Sequence, residues 1–458
     1  MPDAGAGAGA GAGTQGFVPY AESALWRVHD AYYEERAAAA WTSGEVPYLA
    51  TSGYPAARRA VRLVAALVRA LEREGALDPG ADLWVLEVGC GLGRFAENFF
   101  RALASLRTGA RLAPRLRFAL TDYVEGTVRA AARSPALRPL VRAGRIVPAV
   151  LDARAPDAAL DALGAGPLVA AFASYLCCVL PVVALRKTRA GGFEEKLVAL
   201  RADGARGVRS VERFRPVRLE RALGDPVHAR AVRAAVAPFV EARIAYPGAF
   251  LDFARALGRR MRRGGALVVT DFGYARRADL ARPGDVEPAV YGRSLNHPVQ
   301  FALVEAFARE AGLASVRTRA PSGRVHTVAL RYGRPIPRPL RRTFARIYER
   351  RGRGRDLIEL AAFAQDRLRA GDAAGAARDY RECLRREPRC PELALFLARA
   401  LLHAGEARRA LAWLGKGRRL DRAGGLDFDF ELARAYARLG RDADAARALR
   451  RSFAREPS

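Results

Sequence analysis

The chain has 458 residues, a length typical of roughly two to four domains. Half of the residues are apolar and 27% are charged, a composition that excludes a chain disordered throughout and is ordinary for a globular protein. The net charge of +29 indicates an acidic partner, either nucleic acid or an anionic surface, unless the charge is spread diffusely over the molecule.

The chain begins with a low-complexity segment, residues 1–16, made mostly of Gly and Ala. It lacks the basic start and the bulky apolar core of a signal peptide, so we expect a flexible tail rather than a leader. The five cysteines form no CxxC pair and the five histidines are scattered, which predicts neither a disulfide framework nor a metal site. These features together predict a cytoplasmic protein.

Strand-like and helix-like segments alternate between residues 17 and 331. Short apolar runs predict strands at 84–88, 117–120, 145–151, 168–173 and 265–273. Amphipathic segments predict helices at 57–74, 94–106, 250–263 and 301–313. This alternation predicts a doubly wound parallel sheet. The runs 315–320 and 324–332 predict a closing hairpin that puts an antiparallel strand at or near the end of the sheet.

Two stretches depart from this alternation. Residues 162–185 carry no charge and are long enough to span a bilayer. Pro181 interrupts them, and a central strand buried on both faces has the same continuous apolar character, so we interpret them as a strand and its loop, with no membrane partner. The polar stretch of about 183–230 is rich in Arg and Glu and is predicted to be an insertion.

An internal repeat occupies residues 356–458. Alanine recurs at 364, 398 and 433, glycine follows each alanine by seven residues, and alanine follows each glycine by five. Small residues at one period of 34 or 35 residues resemble the tetratricopeptide pattern, in which they let two helices pack closely. Three units meet the minimum for a stacked solenoid. The repeats therefore predict a protein-binding surface, with structural capping of the first domain as the alternative.

A strongly basic segment separates the two regions. Residues 331–355 hold ten arginines and a single acid, Glu349, and we predict a basic linker over 332–355. Such a run could dock an acidic protein surface, or nucleic acid, or could simply be solvated. Its place beside the repeats favours an acidic protein surface over nucleic acid.

The strongest local signal is a strand that runs into three closely spaced glycines. Gly89, Gly91 and Gly93 follow Glu87 and directly precede a helix, and glycines allow a positive φ and close approach of a ligand. The dinucleotide fingerprint would need a glycine where Arg94 stands. The E-x-G-x-G-x-G spacing instead resembles motif I of the class I S-adenosylmethionine-dependent methyltransferases. In that family the acid lies near the methionine part of the cofactor and the glycines accommodate it.

Two further acids, Asp122 and Asp152, follow the next two predicted strands. Open α/β sheets bind ligands at the carboxyl ends of their strands. In a site of this family Asp122 can accept hydrogen bonds from the ribose hydroxyls and Asp152 from the adenine amino group, because an ionised carboxylate is only an acceptor. The predicted cofactor is S-adenosylmethionine, and its predicted binding residues are Glu87, Gly89, Gly91, Gly93, Asp122 and Asp152.

Several segments resemble one branch of this family, the MidA-like methyltransferases, over roughly residues 17–331. They are VLEVGCGLGRFAENFF at 85–100, FASYLCCVLPV at 172–182, GGALVVTDFGY at 264–274 and SLNHPVQF at 294–301. The resemblance implies an α/β fold, a Rossmann-like class I methyltransferase sheet with an insertion, followed here by an all-α tetratricopeptide-repeat solenoid. Since the branch includes a mitochondrial arginine methyltransferase, it also implies a protein side chain as the methyl acceptor.

The chain departs from this branch on the acceptor side. Ser174, Tyr175 and Cys178 stand where the family has Asn, Glu and Asp, and Gln300 replaces a later Asp. His297 lies one place before the family's histidine. Carboxylates would orient a guanidinium and localise its charge, so their replacement argues against an arginine acceptor.

The predicted catalytic residues are Asp271, Ser174 and Tyr175. Asp271 ends the fifth predicted strand and could orient an acceptor or take a proton. Cys177 and its neighbour in an apolar run are more typical of buried packing than of chemistry.

Two hypotheses of different classes follow. The first is a methyltransferase that acts on a protein side chain recruited by its repeats. The second is an adaptor that keeps the catalytic fold for shape or cofactor sensing while the repeats bind partners. The replaced acids favour the adaptor, and the intact glycine loop favours the enzyme.

Overall fold

The structure is a computed structural model, and it describes residues 16–36, 49–202, 208–282, 287–291, 293–319, 325–349, 357–421 and 426–454. Most of the Gly/Ala segment and the end of the basic segment lie outside these residues. The chain divides into two compact units. The insertion unit comprises Met1–Glu35, Cys178–Leu251 and Tyr274–Ala311, and the sheet unit comprises Arg36–Cys177, Asp252–Gly273 and Gly312–Ser458.

The strands are β1 (Val18–Pro19), β2 (Leu83–Val88), β3 (Leu116–Asp122), β4 (Ile146–Val150), β5 (Leu168–Ser174), β6 (Val183–Lys187), β7 (Phe193–Ala202), β8 (Val208–Val217), β9 (Ala242–Tyr246), β10 (Met261–Tyr274), β11 (Ala289–Tyr291), β12 (Ser294–Asn296), β13 (Val299–Gln300), β14 (Ala314–Arg317) and β15 (Val325–Arg331).

The helices are α1 (Ala24–Arg36), α2 (Leu49–Ser52), α3 (Tyr54–Arg73), α4 (Arg94–Ser105), α5 (Arg107–Leu112), α6 (Glu125–Arg133), α7 (Arg138–Arg142), α8 (Pro156–Asp161), α9 (Leu219–Leu223), α10 (Pro226–Val236), α11 (Gly248–Leu257), α12 (Phe301–Glu310), α13 (Arg338–Tyr348), α14 (Leu357–Arg369), α15 (Ala373–Arg386), α16 (Pro391–His403), α17 (Ala407–Leu420), α18 (Phe428–Ala437) and α19 (Asp442–Phe453).

The sheet unit is built on a mainly parallel sheet with the strand order β14–β15–β10–β5–β2–β3–β4. β10, β5, β2, β3 and β4 pair in parallel, while β15 pairs antiparallel with both β10 and β14. The α/β fold class is therefore confirmed, including the antiparallel hairpin at the end of the sheet. The parallel arrangement brings the carboxyl ends of β2, β3 and β5 to one edge, where ligands bind in such sheets.

The core of this unit is formed by α3 and α4 against the sheet. Val61 and Val64 on α3 are fully buried, as the apolar stripe of this helix predicts. The rings of Phe95 and Phe99 on α4 pack at 5.3 Å from those of Phe172 and Phe118 respectively. This packing fixes the helix that follows the glycine loop.

The apolar stretch 162–185 supplies β5 and a 3-10 turn over Cys177–Val179. In the part of the chain that the structure covers, no helix has the length and hydropathy needed to cross a membrane.

The predicted insertion contributes to an antiparallel sheet in the insertion unit. β7 pairs with β8 along one edge and with β1 and β6 along the other, and β6 pairs in turn with β9. Charged residues on β7 and β8 pair across the ladder, since Lys196 and Glu212 lie 2.6 Å apart and Arg215 and Glu195 lie 2.9 Å apart. The Arg and Glu content of this stretch thus reflects cross-strand ion pairs.

Two predicted elements differ from the structure. The helix predicted over 250–263 ends at Leu257, because Met261 pairs with Leu168 and begins β10 instead. β10 also runs on to Tyr274, so Asp271 lies inside the strand rather than at its end. In both cases pairing with a neighbouring strand extends the strand beyond the apolar run.

The arginines of the basic segment predict a linker, but residues 338–348 form the helix α13. Leu340 and Phe344 on one face of α13 are buried in the core of the sheet unit. Its arginines occupy the other positions, which gives an amphipathic helix. The apolar stripe is hard to recognise in the sequence because arginines dominate the segment.

The repeat region forms three helix pairs, α14–α15, α16–α17 and α18–α19. Gly371, Gly405 and Gly440 lie between the helices of each pair with φ of 87°, 81° and 66°, a left-handed conformation that favours glycine. Ala364 and Ala398 are fully buried at the helix contacts. Ala445 is only partly buried, because no further described helix packs on α19.

Candidate active site

The glycine loop joins β2 to α4 and is held by its own backbone. Gly89, Gly91 and Gly93 have φ of 76°, 49° and 70°, values that other residues adopt with strain. A Cβ on Gly93 would lie 2.8 Å from Leu137 Cδ1 and 3.1 Å from the Ala131 Cβ, so a side chain here would have to displace its neighbours. The Cys90 N–H donates to the Thr121 carbonyl at 2.8 Å, which ties the loop to β3.

Asp122 ends β3 and braces the same loop. Its Oδ2 accepts from the Gly91 N–H at 3.0 Å and its Oδ1 accepts from the Val124 N–H at 3.2 Å. The residue is 7% exposed. Burial raises the pKa of the Asp122 carboxyl above its usual value, although the backbone N–H groups of Gly91, Val124 and Tyr123 oppose the rise. The arrangement places a carboxylate directly beside the loop.

Glu87, the first acid of the motif, is 5% exposed. Burial raises the pKa of its carboxyl well above the usual range, the nearby Asp122 raises it further, and the Ala96 N–H lowers it. Among the described residues, the Glu87 Oε2 atom has no hydrogen-bond partner. A buried carboxyl oxygen without a partner is unfavourable, which indicates a site for a cationic or hydrogen-bond-donating ligand.

Glu87, Gly89 and Gly91 line an open cleft whose empty space is about 530 Å³, including solvent at its mouth. We call it the glycine-loop cleft; its walls are Glu87–Leu92, Thr51 and Ser52 on α2, Arg94 and Phe95 on α4, and Phe172, Ser174 and Tyr175. The structure therefore brings two predicted acceptor-side residues, Ser174 and Tyr175, to the predicted cofactor loop.

Tyr175 has a strained backbone, with a φ of 51°. Within the residues that the structure describes, it is the only residue other than glycine with a positive φ. Its N–H donates to the Thr270 carbonyl at 3.0 Å and its ring lies edge-on to Phe272 at 6.4 Å. Such strain at the end of a central strand is typical of functional sites.

A second cavity of about 500 Å³ adjoins the first. We call it the hydroxyl cavity because hydroxyl groups and a single guanidinium supply its described polar side chains: Thr51, Ser174, Thr270, Thr318, Thr327, Tyr348 and Arg59. Thr51, Ser174, Phe95 and Phe172 line both cavities. Inside it, the Thr270 and Thr327 hydroxyls are 3.1 Å apart.

Four predicted site residues line neither cavity, namely Gly93, Asp122, Asp152 and Asp271. Asp271 is fully buried, its Oδ1 accepts from the Phe272 N–H at 2.9 Å, and it lines neither cavity. Asp152 bonds its neighbour Arg154, with the closest side-chain contact at 2.9 Å. Burial raises the pKa of Asp152, but Arg154 lowers it more, so the net shift is downward.

The later motif belongs to the insertion unit, where its polar residues have structural partners. The His297 Nε2 atom and the Tyr20 hydroxyl are 2.8 Å apart. The Gln300 Oε1 atom accepts from the Ala245 N–H, and its Nε2 atom donates to the Arg243 carbonyl, both at 2.9 Å. These contacts explain why glutamine occupies the position of the family's Asp: its amide bridges two backbone groups.

The described cysteines and acids offer little other chemistry. All five cysteines are free and buried, and burial raises the pKa of Cys177 well above its usual value, so packing explains it. Among the described residues, no group of three or more His, Cys, Asp or Glu is arranged to hold a metal ion.

The repeats contact the helix that follows the glycine loop. Arg94, the first residue of α4, lies 3.4 Å from both Glu97 and Asp421. Asn98, one turn further on, donates to Glu392 at 3.4 Å. Asp421 and Glu392 are almost completely buried. These contacts make the repeats part of the frame that holds α4.

Several lining residues were not predicted from the sequence. Thr51, Arg59, Thr270 and Thr327 come from α2, α3, β10 and β15, which are far apart along the chain. Single threonines and arginines carry no spacing signal.

Comparison with known proteins gives two kinds of similarity. Residues 367–424 match the tetratricopeptide repeat family, which confirms the predicted repeats. No curated protein matches the chain.

Among solved structures, an uncharacterized COG1565 superfamily protein from Burkholderia thailandensis is 19% identical, with 69% of this chain and 88% of that chain covered and a TM-score of 0.45. A COG1565 superfamily member from the same organism, bound to S-adenosyl-homocysteine, is 18% identical, with the same coverage and TM-score 0.45. Magnesium protoporphyrin IX methyltransferase from Synechocystis is 12% identical, covering 67% of this chain and 98% of that chain with a TM-score of 0.32. The strand order given above establishes the fold of the sheet unit.

Proposed function

We propose that this chain is an S-adenosylmethionine-dependent methyltransferase. The observation that carries the proposal is the buried Glu87 Oε2 atom, which lacks a described partner and lines the same cleft as the positive-φ glycine loop. A cationic ligand that lies close to the backbone of the glycine loop would pair with Glu87 and would use the space that the glycines leave.

The residues of the glycine-loop cleft suit this cofactor. Glu87 would face its positively charged methionine part, the glycines would admit it, and Asp122 would accept from its ribose hydroxyls while still bracing Gly91. When bound, the cofactor supplies a methyl group activated by a sulfonium. Asp152 remains a predicted adenine contact, and this role would require its carboxylate to share or release Arg154.

The proposed acceptor is a protein side chain, and the proposed role of the repeats is to recruit the protein that carries it. The repeat match at residues 367–424 and the net charge of +29 favour a protein partner with an acidic surface. The contacts of Asp421 and Glu392 with α4 would keep that partner close to the site.

Calorimetry with S-adenosylmethionine tests the cofactor assignment. We expect micromolar binding, a loss of roughly tenfold or more in Asp122→Ala, since each tenfold is about 1.4 kcal/mol, and no loss in Asp157→Ala, an exposed acid paired with Arg259. Absence of binding, or binding unchanged in Asp122→Ala, would contradict the assignment.

Transfer of a radiolabelled methyl group separates the enzyme from the adaptor. The enzyme labels an acceptor in a cell lysate, and the label disappears in Asp122→Ala. An adaptor binds the cofactor, or only a protein partner, and leaves the lysate unlabelled.

A further inference from the structure

The hydroxyl cavity indicates the chemical class of the methyl acceptor, an inference that rests on the proposed function. We propose that the acceptor is a carboxylate, which enters the hydroxyl cavity and leaves it as a methyl ester. The carboxylate could belong to an acidic protein side chain or to a small organic acid, and the experiment below separates these two sources.

The polar groups of the cavity suit an anion better than a cation. Among its described lining residues the only charged side chain is Arg59, and the others are hydroxyls or apolar groups. Burial raises the pKa of the nearby Glu387 carboxyl, and Arg58 and Arg59 oppose this rise. Glu387 forms its ion pair with Arg58, at 2.6 Å. A guanidinium or ammonium in this cavity would meet no acid among the described lining residues, and an unpaired buried cation is strongly unfavourable.

The second argument concerns the proton. Methyl transfer to a hydroxyl, an amine or a guanidinium releases a proton, so these acceptors require a base within reach. The described lining residues of the cavity include no Asp, Glu, His or Lys. Burial raises the pKa of the Tyr348 phenol, which keeps it protonated, and Asp271 lines neither cavity.

A carboxylate avoids this requirement because it is already ionised at neutral pH. Its oxygen forms the new bond to the methyl carbon as the bond between that carbon and the sulfonium sulfur breaks. The sulfur keeps the electron pair and becomes a neutral thioether, the product is a methyl ester, and no proton moves. Charge is also balanced, because one anion and one cation give two neutral products.

The geometry provides a place for each reactant. Ser174 and Thr51 lie on the wall shared by the two cavities, so an acceptor in one cavity adjoins a cofactor in the other. Arg59 can hold the anion. The Thr270 and Thr327 hydroxyls are hydrogen-bonded at 3.1 Å, and the one that accepts in this pair keeps its own hydrogen free to donate to the anion.

The test combines the full-length protein with tritiated S-adenosylmethionine and three probes. They are a Glu-rich peptide with an amidated C-terminus, the same peptide with every Glu replaced by Gln, and phenylacetate. We expect label in the Glu peptide, in phenylacetate or in both, released as volatile methanol in alkali, and none in the Gln peptide. Which probe is labelled identifies the source of the carboxylate.

The outcomes separate this inference from the proposed function. If the cofactor binds but no probe carries alkali-labile label, or if a lysate carries only alkali-stable methylarginine, the carboxylate assignment is wrong while the methyltransferase proposal is unaffected by that result. If the cofactor does not bind, the proposed function fails and this inference fails with it.

A binding measurement provides a readout apart from activity. We expect Arg59→Met to weaken the affinity for whichever acidic probe is labelled by about tenfold, because a charged contact to the half-buried Arg59 is lost. Arg69→Met, an exposed arginine on the same helix that lines neither cavity, is the matched control and should change it less than about twofold. Equal weakening in both variants would mean general charge attraction and would overturn the role of Arg59.

Discussion

The glycine-loop cleft and the hydroxyl cavity share a wall but differ in the groups that shape them and in their charge. The cleft is shaped by backbone; the buried acid Glu87 and Arg94 line it, and the buried acid Asp122 braces its loop from beside it. The hydroxyl cavity is shaped by side chains, and its described charge is a single cation, Arg59. The shared wall consists of small or aromatic residues such as Ser174 and Phe172.

This difference teaches how one site could handle two reactants of opposite charge. A cationic donor gains from the acids of the cleft, and an anionic acceptor gains from the guanidinium of the cavity. The methyl group would then pass from the negatively charged side to the positively charged side across Ser174. Variants that act on one cavity and leave the other intact can test this division.

The largest expected effect comes from the backbone of the cleft. Gly93→Val should weaken S-adenosylmethionine binding by at least about 100-fold, because its positive φ strains a β-branched residue. In addition, its Cβ would meet Leu137 at 2.8 Å and Ala131 at 3.1 Å. Calorimetry and a thermal melt measure the two consequences, lost binding and a lower Tm.

Gly126→Ala is the control for this variant. Gly126 lies in α6 and has open space where a Cβ would be, so alanine there should preserve binding and slightly stabilise the helix. Normal binding by Gly93→Val would mean that the cleft is not shaped by the glycine loop.

The cleft was largely predictable from the sequence, and the reason is physical. A turn from a strand to a helix that must leave space for a ligand requires glycine at fixed spacing, and the acids at strand ends need only the strand boundaries to be located. Glu87, Gly89, Gly91, Gly93 and Asp122 are therefore local signals that the fold brings together.

The hydroxyl cavity was not predictable in the same way. Arg59 and Thr327 are separated by most of the sheet domain, and their meeting depends on how β15 pairs antiparallel with β10. Asp271 shows the reverse error. It was placed at a strand end from the apolar pattern, but pairing with β15 extends β10 beyond it, and the residue is buried.

The next effect concerns the charge of the cleft. Glu87→Gln should weaken cofactor binding by about tenfold, equivalent to about 1.4 kcal/mol, because the carboxylate is lost while shape is kept. It should also raise the Tm by about 2–4 °C at alkaline pH, since burial and Asp122 raise the pKa of Glu87 well above the usual range.

The sign of this second effect depends on pH. With its pKa raised on folding, wild-type Glu87 holds its proton more tightly in the folded state, so stability falls as pH rises above the ordinary carboxyl pKa. The variant does not titrate, and its advantage in Tm should vanish in acid. Wild-type binding should release protons, seen as heats that vary with the buffer. A Tm advantage that is independent of pH would contradict this account.

A smaller effect is expected in the hydroxyl cavity. Thr327→Val keeps the shape but removes the hydroxyl that faces Thr270 at 3.1 Å, at a stability cost of about 1 kcal/mol. The affinity for an acidic probe should fall by about threefold, since a single neutral hydrogen bond is lost, while cofactor affinity should not change. Thr188→Val, in a hairpin of the insertion unit, is the control. A matching loss of cofactor affinity would break the division between the cavities.

The smallest effect tests whether the repeats stabilise only the glycine-loop cleft or both cavities. Arg94 on α4 lies 3.4 Å from both Glu97 and the repeat residue Asp421. Burial raises the pKa of Glu97 to about 7, with Arg94 opposing and Asp421 and Glu392 adding to the rise. Above neutral pH the wild type carries an ionised carboxylate that the folded state disfavours, whereas below the ordinary carboxyl pKa it does not. Glu97→Gln should therefore match the wild-type Tm below the ordinary carboxyl pKa of 4.5 and exceed it by about 1–3 °C in mild alkali. Cofactor affinity should follow the same pH trend, because Glu97 and the cleft residue Arg94 share one helix turn, while the affinity for an acidic probe should not. If both affinities change together, the repeats support the whole site and the two cavities are not independent.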